Sequence, residues 1–406
     1  MIKLKFMFSL LLFLFSGIQF TGLNYVNDVY SQEIDESGLS VETPFQIQIK
    51  RDITFASNGE IIVGDITAMS VDDNDNVFIA DRTQTQIHVF SKNGNYIKSL
   101  GREGKGPGDF SALTFNTTMA IFSKQLFVTD TFLYFPHRAN VFSLEDLTFS
   151  YTMNLIPENL SDYKMLKGHV PKQILQQNDN TFLVSYHHPP YVYKDNEGSI
   201  YYVLINSENN IISKPILKQK DRTNLTYLVE GEYSYLAIRS FPFFGKSLIA
   251  ISENDHLYVA RSEKFKIDVY DPNGDYISTF RHPFNNKAFN KSKLLDHYKK
   301  TNFESALGDG VALKMIRQAD NLPETWPALE EMFFDDENRL WVSTIVDDTE
   351  VYEWWLLDSS GKILTKFKWP RDKPIQQIRN EYLYTKEKDQ DGADIVVRYS
   401  FDLENS

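Results

Sequence analysis

Apolar and polar residues alternate along most of this chain in short runs separated by turn-forming residues, the two-residue period of half-buried strands. Three stretches repeat one pattern: Val71-Asp-Asp-Asn-Asp-Asn-Val-Phe-Ile-Ala-Asp81, Ile251-Ser-Glu-Asn-Asp-His-Leu-Tyr-Val-Ala-Arg261 and Phe334-Asp-Asp-Glu-Asn-Arg-Leu-Trp-Val-Ser-Thr344. Each reads as a strand end, a polar turn and an alternating strand. A second hairpin follows each one: Ile87 to Leu100 around Asn93-Gly94, Ile267 to Phe280 around Asn273-Gly274, and Trp354 to Phe367 around Ser360-Gly361. Asn-Gly and Ser-Gly between alternating runs mark tight turns, because glycine accepts the positive φ they require.

The repeating unit is therefore four antiparallel strands, A to D. Weaker copies occupy Gln125–Asp130 with Ala139–Phe142, Thr181–Tyr186 with Tyr201–Ile205, and Tyr382–Thr385 with Ile395–Tyr399, which makes six units. The last unit runs out after three strands, while Phe45–Ile49 is an alternating strand with no unit of its own. Pairing the two closes a ring and removes the exposed edge. The predicted fold is all-β: a six-bladed β-propeller of four-stranded antiparallel blades, closed by the N-terminal strand in the C-terminal blade beside residues 394–401. Two β-sandwiches would explain neither the six repeats nor the missing strand.

Gly101-Arg-Glu-Gly-Lys-Gly-Pro-Gly-Asp-Phe110, between a hairpin and the next strand, resembles the inter-blade turn of NHL-type propellers. With the Asp73-Asn-Asp-Asn-Val-Phe-Ile-Ala-Asp81 stretch it is similar to the bacterial exported 6-bladed β-propeller family. The resemblance is closest over 66–110, looser over 248–282 and 326–370, and weak from 112 to 217. It implies a fold and an envelope location, and no settled activity.

Composition narrows the function classes. The chain has 406 residues, 42% of them hydrophobic and 14% aromatic, and a net charge of −13. An acidic chain without a basic run is a poor partner for nucleic acid. There is no cysteine, which removes disulfides, thiolate-ligated metals, cysteine nucleophiles and a lipid-modified cysteine. Lys3 and Lys5 precede the apolar run Phe6 to Phe15, and Val29 and Ser31 stand at small-residue cleavage spacing before Gln32. Residues 1–31 read as a secretory signal peptide and 32–406 as the mature propeller. The run is too short to span about 30 Å of hydrocarbon. The expectation is a periplasmic or extracellular monomer without a transmembrane segment.

Recognised catalytic patterns are missing. Gly101 to Gly108 lacks the Gly-Lys-Ser/Thr ending and a following helix, so it is a turn rather than a phosphate loop. Asp72 to Asn76 resembles the start of a calcium loop, but Val77 and Thr83 stand where glycine and an acid are needed. None of the eight histidines forms a His-Glu-x-x-His pair. His187 and His188 point to opposite sides of an extended strand. No cofactor is assigned; a divalent cation in the central channel, held by residues of different blades, is compatible with the sequence.

Propeller topology puts the B–C loops and D-to-A crossovers on one face. The long insertions fall there: Pro157 to Pro171, Gln219 to Lys246 and His282 to Pro327. The last, about 285–322 and between blades 4 and 5, has helical spacing, with Leu294, Leu295 and Tyr298 on one face and Leu307, Val311 and Ile316 following. Loops on a rigid scaffold carry function more often than the scaffold. The candidate ligand-binding residues on this face are Asp81, Arg82, Asp130, Tyr134, His137, Arg138, His187, Tyr191, Arg261 and Trp326. Arg261 stands as the repeat equivalent of Arg82. The aromatic members offer flat apolar surfaces with polar tips. The acidic and basic members either bind a ligand or clasp neighbouring blades. The expected function is a non-catalytic binding module for a glycan, peptide or protein; the alternative is a metal-assisted lyase or lactonase with its ion in the channel.

Overall fold

The computed structural model describes residues 29–30, 43–55, 61–132, 135–176, 181–189, 198–230, 234–300, 310–320, 322–348 and 350–405. The signal-peptide reading, Tyr134, Tyr191 and Leu307 fall on residues outside these, apart from Val29–Tyr30, which pairs with Ile49 and Lys50.

Six antiparallel sheets succeed one another along the chain. Blade 1 is Ile66–Val71, Val77–Asp81, Gln86–Phe90 and Tyr96–Leu100. Blade 2 is Met119–Phe122, Gln125–Phe132, Phe135–Ser143 and Phe149–Asn154. Blade 3 is Val170–Gln176, Thr181–His187, Ser199–Asn206 and Leu217–Lys220. Blade 4 is Ser247–Ile251, Leu257–Arg261, Lys266–Tyr270 and Tyr276–Arg281, and blade 5 is Leu329–Phe334, Leu340–Ile345, Val351–Leu357 and Ile363–Pro370. Blade 6 takes Ile375–Arg379, Tyr382–Lys388 and Asp394–Asn405 from the C-terminus, and its outer strand is Phe45–Phe55. The closing register runs from Phe45 opposite Asn405 to Phe55 opposite Val396, as the orphan strand requires.

The core lies in the seams between blades. Strand B of blade 1, Val77–Asp81, is buried along its whole length because both faces of the sheet are covered. Trp341, Trp354, Trp369 and Tyr399 fill the seam between blades 5 and 6. The apolar seam between blades 3 and 4 is the thinnest, built on Leu183, Ile200, Tyr202, Leu217 and Leu257. Gly274 shows why a hairpin glycine is needed: its φ is +88°, and a Cβ there would lie 2.2 Å from the carbonyl oxygen of Ile216 on the preceding blade.

Two additions stand outside the blades. Asn224–Val229 and Tyr235–Ser240 form a two-stranded ribbon in the crossover from blade 3 to blade 4. Helices α1 (Lys291–Lys300) and α2 (Val311–Gln318) lie in the crossover from blade 4 to blade 5. α2 buries Val311, Ala312, Leu313, Met315 and Ile316 against Phe241, Phe243 and Leu294, with Leu225 and Tyr227 of the ribbon packed beside them. The predicted helical insertion is thus a packed cap, and the ribbon is an element the strand count did not anticipate.

Candidate ligand-binding face

The sequence-predicted residues divide by burial. Asp81 is fully buried at the end of strand B of blade 1. Its carboxylate accepts the backbone N–H groups of Gly64 (2.9 Å) and Thr83 (2.7 Å), and the side-chain amide of Gln84 (3.0 Å). His88 stands 3.5 Å away. Burial pushes this carboxyl up, but His88 and the amides of Gly64, Thr83 and Asp65 outweigh it and hold it well below the ordinary carboxylate range. Asp130 repeats the arrangement in blade 2: it is fully buried and accepts from Ser111 N (2.7 Å), Ala112 N (3.2 Å) and Arg138 Nε (2.8 Å). Arg138 also donates to the carbonyl of Asp109, at the end of the Gly-rich turn (3.1 Å). In both blades the acid therefore ties the incoming crossover to the strand that follows it.

Arg82 pairs with Asp65 and is more than half exposed. Arg261 sits opposite Ser247, the register position that Asp81 takes opposite Ile66. Arg261 is thus the equivalent of Asp81, and Arg82 corresponds to Ser262, one residue along. The equivalence read from the repeats is off by one position. Ser262 Oγ accepts Lys246 N (2.9 Å), as Ser343 Oγ accepts Glu331 N (2.9 Å) in blade 5 and Thr129 Oγ1 accepts Thr118 N (2.7 Å) in blade 2. His137 is half-buried, and burial lowers its pKa. His187 contacts Asp221 through Nδ1 (3.2 Å), while His188 stacks on His169 at 4.6 Å. The two histidines thus contact different partners.

Strand A is the innermost strand of each blade and so surrounds the axis. In blades 1, 3, 5 and 6 its ladder slips near the start, placing extra residues at Thr67, Lys172, Glu330–Glu331 and Gln376. Such bulges re-aim side chains. Lys172 lies near Arg222 and Asp221, and burial followed by the Arg222 charge lowers its pKa. Lys246 Nζ pairs with Glu330 (2.5 Å). Burial pushes the neighbouring Glu331 carboxyl up to about 7, with Lys246 opposing and Glu330 adding to the rise. Among the described residues, no group of three or more His, Asp or Glu is placed to hold a metal ion.

Glu331 yields a pH prediction. Its folded pKa lies above its unfolded value, so between about pH 4.5 and 7 the folded chain holds a proton the unfolded chain lacks. Stability from this group falls as pH rises through that window, and the cost is complete above pH 7. Glu331→Gln should therefore be more stable than the parent at pH 8 by about 1–2 kcal/mol and nearly equal to it at pH 5. Urea unfolding at the two pH values reads this; a constant difference would contradict it.

Beside this cluster lies a cleft of about 520 Å³, lined by Thr223, Phe243, Phe244, Gly245, Glu263, Asn286, Asp320, Leu322, Pro323, Thr325, Trp326 and Pro327. Both long crossovers of the insertion face contribute to it. Phe243 packs on Phe244 (4.7 Å), Phe289 (4.9 Å) and Trp326 (6.3 Å). Asn286 Nδ2 donates to the carbonyls of Glu263 (2.9 Å) and Trp326 (2.8 Å), fixing the two walls together. Arg261 Nη2 donates to Glu263 Oε1 (2.7 Å), while Arg261 Nη1 holds the carbonyl of Lys220 (2.9 Å).

Of the predicted residues, Trp326 lines this cleft and Arg261 braces it. Asp81, Arg82, Asp130 and Arg138 belong to blades 1 and 2 and to their crossovers. Phe243, Phe244, Glu263, Asn286, Asp320 and Glu331 were not anticipated. The run Phe241-Pro-Phe-Phe-Gly245 inside the second insertion was the available signal.

Residues 53–229 match the family described as 6-bladed beta-propeller. The match includes both Val71–Asp81 and Gly101–Phe110, the stretches that carry the resemblance. No curated protein matches the chain. Among solved structures, a member of the DUF4221 family from Bacteroides vulgatus is 10% identical, with 90% of this chain and 100% of that one covered and a TM-score of 0.51. A protein of Bacteroides fragilis is 11% identical, with 90% and 98% covered and a TM-score of 0.47. Virginiamycin B lyase from Staphylococcus aureus is 9% identical, with 87% and 99% covered and a TM-score of 0.40. At such identities the likeness is one of fold.

Proposed function

We propose that this bacterial six-bladed β-propeller is a non-catalytic binding module, exported behind a cleaved leader, that takes its ligand in the cleft beside Trp326. The observation that carries the reading is the cleft itself. The two crossovers that carry the ribbon and the helical cap meet on one face and line an open cleft of about 520 Å³, with Trp326 and Phe244 in its wall. Small-molecule and side-chain pockets are commonly about 300–1,000 Å³, mostly apolar, with a few placed polar groups. Asp81, Asp130 and Arg138 serve as clasps in this reading, and the other blades are the rigid frame.

The test is a calorimetric titration of the mature chain with maltohexaose, chitohexaose and short acidic, neutral and basic peptides. One probe class should bind. Trp326→Ala should weaken that binding about tenfold or more; because the ring also packs on Phe243 and Phe289, Tm falls as well, and affinity is compared well below the transition. Binding indifferent to this substitution would refute the placement. The Glu330–Glu331 pair on the axis-lining strand is what a metal-assisted lyase or lactonase would use. Stoichiometric metal in the purified protein, lost on Glu330→Gln, would favour that second reading.

A further inference from the structure

We propose that the cleft recognises a cationic side chain, the lysine or arginine of an extended basic peptide; this rests on the cleft being a binding site. The charged residues that line it are Glu263 and Asp320, and its lining contains no lysine, arginine or histidine. Arg261 takes Glu263 Oε1 and so orients that carboxylate. Gly245 makes room for it: a Cβ there would come within 2.0 Å of Oε1. The side-chain amide donor of Asn286 is spent on two carbonyls. What remains for a ligand is acceptor-rich, next to the partly exposed rings of Trp326 and Phe244, with Phe243 buried behind them. Carboxylates beside aromatic rings suit an ammonium or guanidinium group, which is attracted by both. The chain's net charge of −13 favours the approach of a cation.

An amino sugar carries the same charge, but the ribbon favours a peptide. Thr223 and Phe241–Gly245 run directly into its two strands, Asn224–Val229 and Tyr235–Ser240. The ribbon forms a sheet of its own, with no further strand on either outer edge among the described residues. Such an edge offers N–H and C=O groups that an extended peptide can pair and a sugar cannot.

The experiment titrates the mature chain with four probes: an acetylated, amidated Ala–Lys hexapeptide, its Ala–Glu counterpart, a glucosamine hexamer and maltohexaose. The Ala–Lys peptide should bind, weaken as salt rises, and bind at least about fivefold less tightly to Asp320→Asn and about tenfold less to Trp326→Ala. Glu253→Gln, an exposed acid on the opposite face, should change nothing and so controls for bulk charge. Binding of maltohexaose or the glucosamine hexamer that depends on Trp326, without binding of the Ala–Lys peptide, would keep the cleft as a site and overturn the peptide. Peptide binding insensitive to Asp320→Asn and Trp326→Ala would overturn the location. No binding by any probe would overturn both.

Discussion

A chain lacking residues 45–55 is expected to lose cooperative folding. That strand is the fourth strand of blade 6, paired with the C-terminal strand from Phe45–Asn405 to Phe55–Val396. It buries Ile47, Ile49 and Phe55, worth about 2 kcal/mol each by transfer, on the order of 6 kcal/mol together. Whole domains are stable by about 5–15 kcal/mol, so the loss is comparable to the total. A bulge at Asp52 adds a polar anchor: its carboxylate accepts from Arg398 Nε (2.7 Å), and Arg398 also reaches the carbonyl of Lys92 in blade 1 (2.9 Å). Removing the strand also bares the edge of Asp394–Asn405. Far-UV circular dichroism during thermal unfolding should show no sharp transition, and adding the 45–55 peptide in trans should restore one. A truncated chain that melts like the parent would show that the ring does not depend on this closure.

The second large effect is at Asp130. Replacing it by alanine removes the acceptor for two crossover amides and for Arg138 Nε. The guanidinium is left three-quarters buried without its carboxylate. Breaking a buried ion pair from one side costs about 3–5 kcal/mol. Tm should fall by several degrees, without any effect on ligand binding beyond that of global unfolding. Arg82→Ala, which removes an exposed partner of Asp65, should cost about 0–1 kcal/mol. If Asp130→Ala instead abolished binding at unchanged Tm, the acid would belong to the site and the clasp reading would fail.

These contrasts show what the chain discloses about itself. Strand alternation and the turn glycines at 94, 274 and 361 expose the blades, because a two-residue period and a positive φ are local properties. The orphan strand at Phe45 exposes the closure because an unpaired edge must be covered. Whether Asp81 and Asp130 clasp or bind cannot be read locally: a buried acid at a strand end looks the same as an exposed one until its hydrogen-bond partners are placed. Arg82 and Arg261 stood as equivalents although the aligned repeats, ending at Asp81 and Arg261, already set Arg261 against Asp81, as the strand pairing does. The bulges in strand A that hold Lys172, Glu330 and Glu331 are likewise features of pairing. The cleft was half legible. Trp326 lay in a long insertion on the expected face, but Glu263, Asn286 and Asp320 are scattered in sequence and meet only because the two crossovers fold together, the cap on the ribbon and Asn286 on the carbonyls of Glu263 and Trp326.

The absence of cysteine allows the central claim to be tested in one step. Thr325 is exposed on the cleft wall, and Lys362 is exposed on a C–D turn at the opposite face. Thr325→Cys and Lys362→Cys can each be blocked with a bulky maleimide, and the blocked proteins titrated with whichever of the oligosaccharide and peptide probes the parent binds. The account predicts that blocking position 325 abolishes binding and that blocking position 362 leaves it intact. Undiminished binding with position 325 blocked would contradict it.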